Sequence, residues 1–126
     1  MKLVLLAAAG GALGSSARYL VNAGAGRLLG MGFPWGTLIV NVAGCFIMGL
    51  LVGWAALKGT LSQEARVFLA TGILGGFTTF SAFSADFAAL IERKHFGFSA
   101  LYLTGSVVLS LLAVFAGIYL VRSWQT

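Results

Sequence analysis

Four long stretches of this sequence carry almost no charge, and that pattern constrains the fold more than any other feature. They cover about residues 3–29, 35–57, 65–91 and 98–121. A helix needs roughly 20 apolar residues to cross a hydrocarbon core, so each stretch is long enough. Only 9% of the chain is charged and 60% is hydrophobic, against about 25% charged for a soluble domain. A water-facing surface is not built from so few charges, so lipid must cover most of this one. Residues 1–126 read as a single all-α integral membrane domain of four transmembrane helices. The short loops make successive helices antiparallel neighbours. Lys2 and the apolar run at 3–9 have the look of a secretory leader. The apolar character continues past Leu20 and three more spans follow, so the segment reads as a mature helix.

The span ends have their own chemistry. Pro34 precedes the second span, where a missing backbone N–H costs nothing. Thr60 and Ser62 are candidate N-caps for the third, with Glu64 favourable in its first turn. Arg93, Lys94 and His95 close the third span, and Gly97 separates it from the fourth. Trp35, Trp54 and Trp124 lie near span ends, where indole rings favour the interface. The net charge is +5, but the eight Lys and Arg residues are scattered and mostly flank apolar runs. That placement points to lipid headgroups and away from nucleic acid. One side of the membrane holds Lys2, Lys58, Arg66 and Arg122, and the other Arg27, Arg93 and Lys94. So even a balance leaves the positive-inside rule almost no orienting force, which permits an antiparallel homodimer. Cys45, the single cysteine, rules out an intrachain disulfide.

The 18 glycines include pairs at small-xxx-small spacing: Gly10 with Gly14, Gly26 with Gly30, Gly49 with Gly53. Such spacing lets helices pack closely in lipid. Polar groups inside the spans are costly and are candidates for function. Asn41, in the middle of the second span, either lines a wet path or makes an interhelix hydrogen bond, and position alone leaves both open. In the third span Gly72, Gly75, Gly76, Thr78, Thr79, Ser81 and Ser84 suggest a broken helix. A break frees backbone carbonyls, which bind cations. Beyond it, Phe80 and Phe83 share a face if the second half is helical. Tyr102, Ser106 and Ser110, spaced by four, form a polar stripe on the fourth span. Arg18 lies deep in the first span. It either pairs with Asp86 or faces a cavity shared with a second subunit.

Asp86 is the only acid placed inside a span, and no isolated mid-membrane Glu is present. Proton-coupled drug exporters of similar size depend on such a carboxylate. A path lined by hydroxyls, an amide and phenyl edges, beside a buried arginine, suits an anion better. An accessory subunit without transport gains nothing from a broken helix. No nucleophile–base pair or metal-ligand spacing supports an enzyme.

Gly10-Gly11, Gly14, Arg18-Tyr19, Gly36-Thr37, Asn41, Gly44, Phe46 and the run 75–84 (GGFTTFSAFS) together resemble the Fluc, or CrcB, family of fluoride channels. The resemblance implies a dual-topology antiparallel homodimer in the bacterial cytoplasmic (inner) membrane. Passive fluoride efflux through two pores would protect the cell against fluoride toxicity. It implies a structural Na+ at the dimer centre, held by the backbone carbonyls of Gly75 and Thr78 from each subunit. Phe80 and Phe83 would face fluoride with their ring edges, and Asn41 would donate to it. Ser81, Tyr102, Ser106 and Ser110 would belong to the polar track, and Arg18 to a vestibule. Where Ala82 stands the family usually has threonine, and Asp86 replaces a common Glu. Loss of the hydroxyl at Ala82 is expected to weaken fluoride binding or conduction without disturbing the fold.

Overall fold

The computed structural model describes residues 1–59 and 61–125, all of the regular structure in them helical. Helix α1 (Lys2–Leu29) ends at Gly30, whose φ of 85° lies in the region that favours glycine. Helix α2 (Trp35–Lys58) starts after Pro34 and closes on Gly59 (φ 60°), which donates its N–H to Ala55 O. The third span begins with α3 (Gln63–Arg66). Ser62 caps it as expected, accepting from Ala65 N at 3.1 Å. The other candidate cap, Thr60, lies outside the described residues. The span continues as a wide π-helical stretch (Val67–Leu74), then α4 (Gly75–Phe77) and α5 (Phe80–Glu92). Helix α6 (Phe96–Gln125) completes the chain. Among the described residues, four helical spans are long and apolar enough to cross a membrane: Lys2–Leu29, Trp35–Ala56, Gln63–Glu92 and Phe96–Trp124.

Two expectations about boundaries change. Gly97 does not separate the third span from the fourth; it lies inside α6. The turn is tighter, because His95 N bonds to Leu90 O at 2.9 Å and Ser99 N to His95 O at 2.8 Å. Lys94 takes the left-handed conformation (φ 60°) that reverses the chain there. The interruption of the third span is present, but it falls on the threonines. Thr78 (ψ 158°) and Thr79 (φ −156°, ψ 124°) are extended, whereas Gly75 keeps helical geometry. β-branched residues accept extended backbone readily.

The glycines serve close packing instead. A methyl group on Gly10 would come within 2.8 Å of Gly72 Cα, and one on Gly76 within 2.8 Å of Gly11 O. Gly14 lies against the Ile73 carbonyl. These contacts seat α1 on the first half of the third span. Gly49 against Val114, with Gly117 against Phe46, brings α2 onto α6. The Gly26/Gly30 pair packs no helix: Gly26 meets only Met31 S at 3.1 Å, and Gly30 stands in open space. The buried aromatic core lies toward one end, where Phe33 from the α1–α2 turn meets Phe83 and Leu90 of α5 and Tyr102 of α6. Elsewhere the helices expose large apolar side chains, including Leu13, Ile47, Leu111 and Phe115. A surface so apolar needs lipid or another protein against it.

Candidate functional site at the helix break

Two extended residues in the middle of a span leave backbone groups without helical partners. In an apolar surround each costs several kcal/mol if unpaired. Asn41 solves this for Thr79. Its Oδ1 accepts from Thr79 N at 2.8 Å, and its Nδ2 donates to Thr79 O at 3.0 Å. The Thr79 hydroxyl then caps α5 by accepting from Ala82 N at 3.1 Å. The Thr78 hydroxyl turns back and donates to Leu74 O at 2.9 Å. Arg18 reaches the same place from α1, its Nε donating to Gly76 O at 2.9 Å. Arg18 therefore does not pair with Asp86; it serves the carbonyl end of the broken helix, where a cation is favoured.

Beside the break lies a groove of about 330 Å³. Asn41 and Cys45 of α2, Thr78 to Phe80 at the break, Phe83 of α5, and Ser106 and Ser110 of α6 line it. The Phe80 and Phe83 rings lie 5.5 Å apart and tilted by 43°, on one side of α5 as the spacing predicts. Phe83 is buried, whereas Phe80 is 78% exposed. Ser106 is only 5% exposed, yet among the described residues its Oγ has no hydrogen-bond partner. Buried hydroxyls are nearly always bonded, so an unserved one on a residue that lines a groove is a candidate donor to what the groove takes up. Asn41 also keeps one Nδ2 hydrogen after serving Thr79.

The expected stripe on α6 divides. Ser106 and Ser110 line the groove, but Tyr102 does not. Tyr102 is fully buried and donates its hydroxyl to Asp86 Oδ2 at 3.1 Å, while its ring packs 5.0 Å from that of Phe83. Thr37 donates to the same carboxylate oxygen at 2.7 Å. Ser81 is exposed, with its hydroxyl 3.4 Å from that of Thr79, and lies outside the groove lining. Sequence reasoning gave Thr37 no role at the site. The signal was present: Thr37 and Asn41 are one turn apart, and so form a polar stripe on an otherwise apolar helix.

The carbonyls of Gly75 and Thr78 suit a cation. In an unbroken helix they would accept from Thr79 N and Ala82 N. Those two N–H groups are committed to Asn41 and to the Thr79 hydroxyl. Among the described residues no group of three His, Cys, Asp or Glu side chains forms a metal site, so any ion here would rest on backbone oxygen.

Residues 5–118 match the family described as CrcB-like protein, Camphor Resistance (CrcB). The chain belongs to the CrcB family. Curated relatives match the chain over nearly their whole length. A protein of Nitrobacter winogradskyi named fluoride-specific ion channel FluC is 55% identical over 119 residues, 94% of each chain. One from Caulobacter sp. with the same name is 53% identical over 123 residues, 97% of this chain and 96% of that one. Another, from Agrobacterium fabrum, is 53% identical over 120 residues, 95% of this chain and 96% of the relative. The resemblance read from the glycine–threonine–phenylalanine run is thus borne out, and CrcB relatives are named as channels, not enzymes.

Proposed function

We propose that this chain conducts fluoride passively through a bacterial cytoplasmic membrane, relieving fluoride toxicity, as an inverted homodimer with two pores and a central structural Na+. The unserved Ser106 hydroxyl in the groove at the helix break carries the reading. Fluoride is small and strongly hydrated, so a pore must replace its water with O–H and N–H donors. Ser106, Ser110 and the remaining Asn41 hydrogen supply them on one wall. The edges of Phe80 and Phe83 add weak positive potential on another. Several modest sites let an ion enter and leave, where one tight site would hold it. The names of the curated relatives support the same ion.

The homodimer is supported by the balanced basic residues and by Phe80, an aromatic 78% exposed beside polar pore candidates. A second subunit would cover it. Na+ would be held by Gly75 and Thr78 carbonyls of both subunits, and would supply fixed positive charge where the broken helices meet. A cation exporter needs a free intramembrane carboxylate, and Asp86 already accepts from Thr37 and Tyr102. The test is fluoride efflux from liposomes, run beside chloride, for the chain as given and for Phe80→Ile. Fluoride should leave, chloride should not, and Phe80→Ile should slow efflux at least tenfold. An unchanged Phe80→Ile protein, or one that moves chloride equally well, overturns the reading.

A further inference from the structure

A second cavity, of about 260 Å³, opens at the end of the bundle that carries the α1–α2 turn. Asn22, Gly36, Thr37, Asp86, Leu90 and Arg93 contribute to its lining. Only one aromatic layer separates it from the groove at the helix break. The Tyr102 hydroxyl bonds Asp86, which lines this cavity, while the Tyr102 ring packs on Phe83, which lines the groove.

The electrostatics of this cavity are mixed. Asp86 and Arg93 are the charged residues in its lining. Arg93 is also the C-cap of α5, so the cavity lies beside the negative end of that helix. An approaching anion therefore meets a carboxylate and a set of carbonyl dipoles, both repulsive. Asp86 is partly offset by the hydrogen bonds from Thr37 and Tyr102. Arg93 is exposed and, among the described residues, is the one full positive charge in the lining. Arg27, Lys94 and His95 lie at the same end without lining the cavity, and Glu92 opposes them.

We infer that Arg93, exposed in the lining of this cavity, is the positioning residue that keeps this end of the fluoride path attractive to anions. The inference rests on the channel reading above. One unit charge about 6 Å away in water changes local anion concentration about threefold. The effect reaches roughly 30 Å at 0.01 M ionic strength and 3 Å at 1 M. Fluoride efflux from liposomes at these two ionic strengths, with a large impermeant anion making up the balance, separates the cases. Arg93→Gln should be about threefold slower at low ionic strength and equal to the parent at high. Arg93→Lys should restore the rate, and Lys94→Gln should show a smaller deficit. Equal low-salt rates for Arg93→Gln and parent overturn the inference. So does a deficit that salt does not erase, an Arg93→Lys as slow as Arg93→Gln, or a Lys94→Gln deficit as large. A parent chain that moves no fluoride defeats the channel reading itself, and this inference with it.

Discussion

At the scale of single residues, Asn41 and Ser106 line the same groove and do opposite kinds of work. Asn41 is tied to Thr79 by two hydrogen bonds, whereas the Ser106 hydroxyl has none among the described residues. Interhelix hydrogen bonds in membranes are often worth less than 1 kcal/mol, because the separated helices find other partners. Thr79 is different: its N–H and C=O have left the helical pattern and depend on Asn41. Asn41→Ala should therefore lose about 1–3 kcal/mol of stability. This would appear as a lowered unfolding midpoint in detergent. Ser106→Ala breaks no bond within the chain, so its midpoint should stay within about 0.5 kcal/mol of the parent. Its fluoride efflux should fall about tenfold, as expected for the loss of one donor to the ion worth ~1.4 kcal/mol. Ala82 is half-buried between the two phenylalanines in sequence, and its N–H is already used in capping. Ala82→Thr should raise fluoride efflux at unchanged stability, and equal rates would remove any role for the missing hydroxyl.

At the scale of elements, the third span is broken at one place and packed closely on α1 ahead of it. The small residues ahead of the break let α1 approach until backbone meets backbone. Close approach is what drives helix association where lipid removes the hydrophobic incentive. The Thr79 cap and the Asn41 clasp then restart the helix as α5 without leaving Thr79 unpaired. Glycines that look alike in sequence should behave differently. Gly76→Ala would force a methyl group against Gly11 O at 2.8 Å, a backbone atom that cannot swing aside. It should cost about 1–3 kcal/mol. Gly105 on α6 has nothing within 4 Å of that position. Gly105→Ala should be neutral or stabilise by up to about 1 kcal/mol through helix propensity. Unfolding midpoints of the two variants, measured side by side, check the contrast.

At the scale of the whole molecule, the four helices enclose little. The buried aromatic core sits toward one end, and the groove at the break is open along the side that bears Phe80. On the proposed function one copy would present half of a path, which is the physical case for a second. Na+ at the broken helices would satisfy carbonyls whose usual donors are committed elsewhere. Exchange of Na+ for a large organic cation should then weaken the proposed dimer, read as dissociation by sedimentation in detergent or as lost cross-linking in liposomes. A dimer population that does not respond to the exchange would remove the ion from the assembly.

The number of spans and the interruption of the third were readable from residue order, because they depend on local quantities: hydropathy over a membrane's thickness and a run of glycines and β-branched residues. The pairing of Phe80 with Phe83 was readable for the same reason, since helical periodicity fixes it. The short loops suggested that successive helices pack together, whereas α2 packs chiefly on α6 and α1 on the first half of the third span. What folding alone decided was where each buried polar group finds its partner. Arg18 takes Gly76 O across 58 positions, Thr37 takes Asp86 across 49, and Asn41 takes Thr79 across 38. An arginine and an aspartate that seemed natural partners in the sequence thus serve different ends of the site. Buried donors and acceptors bond to whatever tertiary packing brings within about 3 Å, and no local pattern in a chain encodes that distance.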